Sequence, residues 1–160
     1  MATLLIMLAL LVAPALVNEL AARLAGKCLC DCRTAGCIGI ALVFCFTATG
    51  HFVLTKPMAE MLPEQVPWRV PLIYVTGVLE FVAAFMVLVP RWRRGVGILL
   101  IVALICFLPV NVYAVLNGVG LGKQEWGLAY LLVRVPVQFV LIGWVWWFAV
   151  RRSEMTRGRR

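Results

Sequence analysis

Five apolar runs, at about residues 3–17, 35–54, 70–90, 95–116 and 128–150, leave this chain few folds to choose from. Most are close to 20 residues long and nearly free of charge, which is the length a helix uses to cross a hydrocarbon core about 30 Å thick. Lipid offers no partner to backbone N–H and C=O groups, so unbroken runs of this kind must be helices. The remainder of the chain agrees, with 64% hydrophobic residues, 14% charged residues and a mean hydropathy of +1.00. Five spans of about 20 residues take up roughly 100 positions. The rest is too short for a Rossmann unit, a P-loop domain or a nucleotide-driven pump, so any chemistry belongs inside the bundle or in short loops.

Charge placement sets the expected orientation. Arg23, Lys27 and Arg33 follow the first run, Arg91, Arg93 and Arg94 lie between the third and fourth, and Arg151, Arg152, Arg157, Arg159 and Arg160 close the chain. Only Lys56, Arg69 and Lys123 fall in the opposite loops, and Arg134 lies within the fifth run. The expectation is five spans with the amino terminus outside and the carboxyl terminus cytoplasmic. A cleavable signal peptide is the competing reading of the short first run, but Met1, Ala2 and Thr3 supply no basic leader and a basic loop follows. The net charge of +8 clusters at helix ends and not along a recognition helix, so the partner expected is a bilayer with anionic head groups and not nucleic acid. Trp68, Trp92, Trp126, Tyr130, Trp146 and Trp147 near the span ends read as interfacial anchors.

The residues that do not suit lipid carry the functional signal. A carboxylate at mid-span costs about 2.5 to 3.5 kcal/mol on insertion scales, and Glu80 falls about 15 Å from the outer end of the third run. Gln138 is level with it on the fifth run, and Arg134 and Thr76 are each about 9 Å deep. Asn111 lies about 7.5 Å and His51 about 5 Å from the same face. Thr76 and Glu80 share one helical face and Arg134 and Gln138 another, each pair one i, i+4 step apart. Turned inward, these faces make a polar pocket of His51, Thr76, Glu80, Asn111, Arg134 and Gln138, in which Arg134 is expected to pair with Glu80. The plainer alternative is that the same groups only hydrogen-bond helices together. His51 is the single histidine, which excludes a multi-histidine metal or haem site and leaves a packing residue or a proton acceptor.

Cys28, Cys30, Cys32 and Cys37 crowd the loop after the first run, and Cys45 and Cys106 lie near mid-span. No C-x-x-C is present, so a dithiol oxidoreductase motif is missing. The four clustered thiols are weak candidates for a soft metal ion, since C-x-C-x-C-x4-C is not a zinc-ribbon spacing. Juxtamembrane thiols, free or lipidated, are the simpler reading.

Six short motifs occur in order between residues 36 and 150: Thr49-Gly50-His51-Phe52, Met61-Leu62-Pro63 with Pro67, Tyr74 through Glu80, Pro90-Arg91-Trp92-Arg93-Arg94, Pro109-Val110-Asn111-Val112, and Arg134-Val135-Pro136-Val137-Gln138 with Trp144. Together they resemble the DoxX-like family of small polytopic membrane proteins. Two features depart from that pattern: the helix and cysteine-rich loop at the front are additions to a four-span family, and Leu108 separates Phe107 from Pro109. The resemblance implies association with redox systems, such as a thiosulfate:quinone oxidoreductase subunit, a methylamine dehydrogenase maturation component or a mycobacterial complex with a superoxide dismutase and a sulfurtransferase. Eukaryotic relatives act as assembly chaperones.

The fold class expected is thus an all-α membrane protein, an antiparallel four-helix transmembrane bundle of DoxX type over residues 35–150. An extra helix and cysteine-rich loop (1–34) precede it, and a basic cytoplasmic tail (151–160) follows. The expected function is a redox-associated accessory protein of the bacterial inner membrane, with a redox protein as partner and an outer-leaflet pocket for a quinone-like or small sulfur-containing molecule. The alternative is a non-enzymatic assembly factor or scaffold. Neither reading gives the chain an autonomous enzyme motif.

Overall fold

The computed structural model describes residues 2–119 and 127–151, with side chains from Thr3 to Val119 and from Leu132 to Arg151. Among these residues the secondary structure is entirely helical: α1 (Ala2–Ala25), α2 (Cys32–Val53), the short α3 (Thr55–Glu60), α4 (Arg69–Met86), α5 (Arg93–Leu116) and α6 (Gly127–Val145). The last of these runs on as a π-helical turn, Trp146–Val150. Five of the helices are long and apolar enough to cross a membrane. The tail at 152–160 lies outside the described residues.

The first helix is longer than its apolar run. It continues for 24 residues through Pro14 and past Asn18, because the polar groups beyond residue 17 find local partners. Glu19 accepts from Arg23 at 2.9 Å across one turn, and the buried Asn18 accepts from the Cys30 backbone N–H at 2.9 Å. That second bond folds the cysteine-bearing connection back onto α1. No fold-breaking role falls to Pro14, whose missing donor sits in a helix otherwise exposed along most of its length.

The central helix is α2, the most buried of the five. It packs against α1 on one side and α4 on the other, while α5 pairs with α6 and its π turn. Contacts fix the directions. Leu11 of α1 lies against Gly39, Thr34 at the start of α2 meets Arg93 at the start of α5, and His51 near the end of α2 meets Glu80 of α4. Gln138 of α6 meets Leu104 of α5, and Trp144 of α6 donates to the Gly36 carbonyl at 3.2 Å. Successive long helices therefore run antiparallel. A continuous apolar core of Leu11, Ile40, Val43, Phe44, Ala84, Val87, Leu100 and Val145 fills the centre.

The π turn is held by α2. Arg33 donates from Nε to the Phe148 carbonyl at 3.1 Å and from Nη2 to the Ala149 carbonyl at 3.3 Å, and the Cys37 thiol lies 3.8 Å from the same Phe148 oxygen. A π turn widens the helix and exposes carbonyls, and a guanidinium at that C-terminal end satisfies them with favourable charge. The helix alternation places Arg23, Lys27, Arg33, Arg91, Arg93, Arg94 and Arg151 at one end of the bundle, with Lys56 and Arg69 at the other.

Candidate functional site

Three of the six expected pocket residues meet. Glu80 is buried on α4, and its Oε1 lies 3.4 Å from Nε2 of the buried His51 on α2. Its other oxygen, Oε2, is 2.8 Å from the hydroxyl of Thr47. The second imidazole nitrogen, Nδ1, is 3.3 Å from the hydroxyl of Thr76. Thr47 and His51 share a face of α2 one turn apart, as Thr76 and Glu80 do on α4. Gly77 lets the two faces close: a Cβ there would stand 2.8 Å from the His51 Cβ and 3.1 Å from the Phe52 ring.

Glu80 thus pairs with His51 and not with Arg134, as the charges alone had suggested. Depth counted from a common outer face separates His51 from Glu80 by about 10 Å, yet they touch. The helices are staggered. α2 ends at Val53 and α3 follows directly, so α4 begins well beyond the level at which α2 stops. Thr55 donates to the His51 carbonyl at 2.7 Å and closes the end of α2 just above the pair.

The hydroxyls and ring nitrogens of the cluster accommodate more than one proton arrangement. The Thr76 hydroxyl lies 2.9 Å from the Ile73 carbonyl and 3.0 Å from that of Leu72, so it donates to Nδ1 of the tautomer that carries Nε2–H, or donates within its own helix and accepts from His51 Nδ1–H. In the second case Nε2 faces Glu80 either as an imidazolium N–H against a carboxylate or as a lone pair against a carboxylic acid. Thr47 complements both, because its hydroxyl also lies 3.2 Å from the Phe44 carbonyl. It donates to an ionised Glu80, or donates to Phe44 and accepts from a protonated one.

The other expected residues stand apart from this pair. Gln138 is buried on α6 and donates to the Leu104 carbonyl of α5, in the turn before Pro109 interrupts that helix's ladder. Arg134 is half-buried on α6. Asn111 is buried at 6% exposure and meets no hydrogen-bond partner among the described residues. It lies one turn beyond Phe107 on the same face of α5, and the Phe107 ring centroid is 6.3 Å from that of His51. Thr47 and Phe107 are additions that sequence reading did not single out. Thr47 carried a usable signal, being four residues before His51 on the face that His51 defines.

A separate cleft of about 440 Å³ opens at the end of the bundle away from the arginines, lined by Glu60, Glu64, Gln65, Arg69, Tyr113 and Asn117 among others. None of the six expected pocket residues lines it. The clustered cysteines are also dispersed. Cys28 and Cys32 are exposed, Cys30 is half-buried against α1, and Cys37 is buried beside Phe148, so the described residues hold no group of three or more metal-binding side chains.

No curated protein and no solved structure matches the chain. A family model described as a domain of unknown function, DUF8561, matches residues 40–149, which include the whole Glu80–His51 cluster, Phe107, Asn111 and Gln138. The chain belongs to this family of domains of unknown function.

Proposed function

We propose that this protein is a redox-associated accessory protein of a bacterial inner membrane, built as a four-helix bundle of DoxX type with an added amino-terminal helix. Its ligand is a quinone-like molecule, or a small sulfur-containing one, seated where α5 faces α2 and α4. Glu80 and His51 exchange a proton with a ligand oxygen, and electrons come from a redox protein bound beside the bundle. The observation that carries this reading is the buried Glu80–His51 pair itself, with its hydroxyl partners Thr47 and Thr76, against which Phe107 of α5 packs one turn before the buried Asn111. The Asn111 amide makes no hydrogen bond to the described residues, and a ligand carbonyl would accept one from it.

The test uses that amide. Asn111→Leu breaks no hydrogen bond to the described residues, so the variant should be about as stable as the parent in detergent. It should nevertheless bind a short-chain quinone, followed by quenching of tryptophan fluorescence, at least tenfold more weakly. A variant that loses stability and keeps its quinone affinity sinks the reading. The alternative is a non-enzymatic assembly factor, favoured by one observation: both His51 nitrogens already have intramolecular partners. Quinone that never binds the parent protein would support that reading.

Orientation follows from the basic end, which the positive-inside rule assigns to the cytoplasm. Cys28 and Cys32 are exposed at that end. A membrane-impermeant maleimide should therefore leave them unlabelled in intact cells and label them in inverted vesicles. Labelling from outside would reverse the topology.

A further inference from the structure

We propose that the basic end of the bundle holds a binding site for one phosphate group, built on Arg93 where α2 and α5 begin. Arg93 is the first residue of α5 and is 5% exposed. Its Nη2 donates to the Thr34 hydroxyl at 3.2 Å and to the Leu88 carbonyl at 3.1 Å. Both acceptors are neutral, and among the described residues no carboxylate lies within ion-pair distance of the guanidinium. Its Nε is buried without any partner. A guanidinium held in this way is a buried charge with no counter-ion among the described residues, an arrangement that is costly unless an anion is supplied.

The surroundings select an anion and reject a cation. Helices α2 and α5 both start here, neither has a side-chain cap, and neither has an acidic residue in its first turn. Their dipoles point positive ends toward the same end of the bundle, although the Arg93 N–H itself donates to the Val89 carbonyl. Arg33 adds a second guanidinium one residue before Thr34. Asp31, the N-cap residue of α2, is exposed, makes no side-chain cap bond and makes no ion pair with Arg93. Forked guanidinium, hydroxyl and helix N-termini together are the chemistry that holds a phosphate oxyanion.

Position indicates where that phosphate comes from. Trp92 and Trp146 are exposed at this end and suit the level of lipid head groups. A phospholipid head group and free phosphate offer the same oxyanion, and the experiment separates them. The full chain, stripped of lipid in an uncharged detergent, is titrated with phosphatidylglycerol, with diacylglycerol as the phosphate-free control, and with inorganic phosphate, while its melting temperature is followed. Phosphatidylglycerol should raise the melting temperature saturably and diacylglycerol should not. Arg93→Gln should weaken that response at least tenfold, and Arg94→Gln, an exposed arginine in the same turn, should leave it unchanged.

An equal response to inorganic phosphate would identify a soluble phosphate as the ligand of the same site. A response to lipid alone would identify the head group. If Arg93→Gln does not fold, Arg93→Lys takes its place, since it keeps the charge and loses the fork. A threefold or greater weakening then supports the site, and unchanged affinity overturns it. The proposal also fails if no phosphate-bearing probe stabilises the parent more than diacylglycerol does, or if Arg94→Gln loses as much as Arg93→Gln.

Discussion

Replacing either Glu80 or His51 by leucine should destabilise the bundle by about 3 to 5 kcal/mol, the cost of leaving one member of a buried pair without the other. Replacing both should cost clearly less than the sum of the two, because the double variant strands no polar group between α2 and α4 and leucine suits the apolar surroundings. Unfolding in mixed micelles of uncharged detergent and dodecyl sulfate supplies the three free energies. Additive losses would mean that the 3.4 Å approach of the two side chains carries no energy. A parallel series with Arg134 should be additive with Glu80, since it is His51 that stands at ion-pair distance from the carboxylate. The Thr47→Val variant sharpens the result: it removes the 2.8 Å partner of Oε2 and should cost less than either leucine change, because one hydrogen bond to the carboxyl is lost and the pair survives.

Much of this architecture is legible from the chain because the bilayer imposes it. Five apolar runs become five spanning-length helices since no other structure satisfies the backbone in lipid. The arginine-rich connections gather at one end through simple alternation. Polarity at membrane depth also marks residues that the fold turns inward: His51, Thr76 and Glu80 are drawn together, and Asn111 and Gln138 are buried. Partner choice is less legible. Formal charge nominates Arg134 for Glu80, whereas stagger between α2 and α4 decides for His51, and stagger depends on how α3 and its loop occupy the step between two helix ends. Arg93 shows the same limit. Among eleven basic residues at its end of the chain it reads as one more topology signal, and only its burial beneath the α2 start distinguishes it from Arg91 and Arg94. The first helix is misjudged in length because Asn18, Glu19 and Arg23 look like a loop until the Cys30 amide and the i, i+4 pair are seen to satisfy them.

Gly39→Ala should separate α1 from the rest of the protein. A Cβ at Gly39 would lie only 2.1 Å from the Leu11 carbonyl oxygen and 3.0 Å from the carbon that bears it. The obstacle is backbone, so no rotamer change relieves it and the helices must move apart. Small residues at helix crossings bring backbones into direct van der Waals contact, and between helices in lipid that packing is most of the attraction. Ala35, one turn earlier and buried, continues the same small-residue face, and among the described side chains of α1 Leu4 and Leu11 are the ones fully buried in the apolar core. Overpacking of this kind costs typically about 1 to 3 kcal/mol, and the loss should fall on one interface and not on the whole bundle, because α2 keeps its contacts with α4. Limited proteolysis in detergent is the measurement. The variant should be cut in the 26–31 connection much faster than the parent, since the Asn18–Cys30 bond that holds the connection depends on α1 staying docked. The thermal transition of the remaining helices should move by only a few degrees. Equal cleavage rates in variant and parent would show that α1 tolerates the displacement and is not anchored at Gly39.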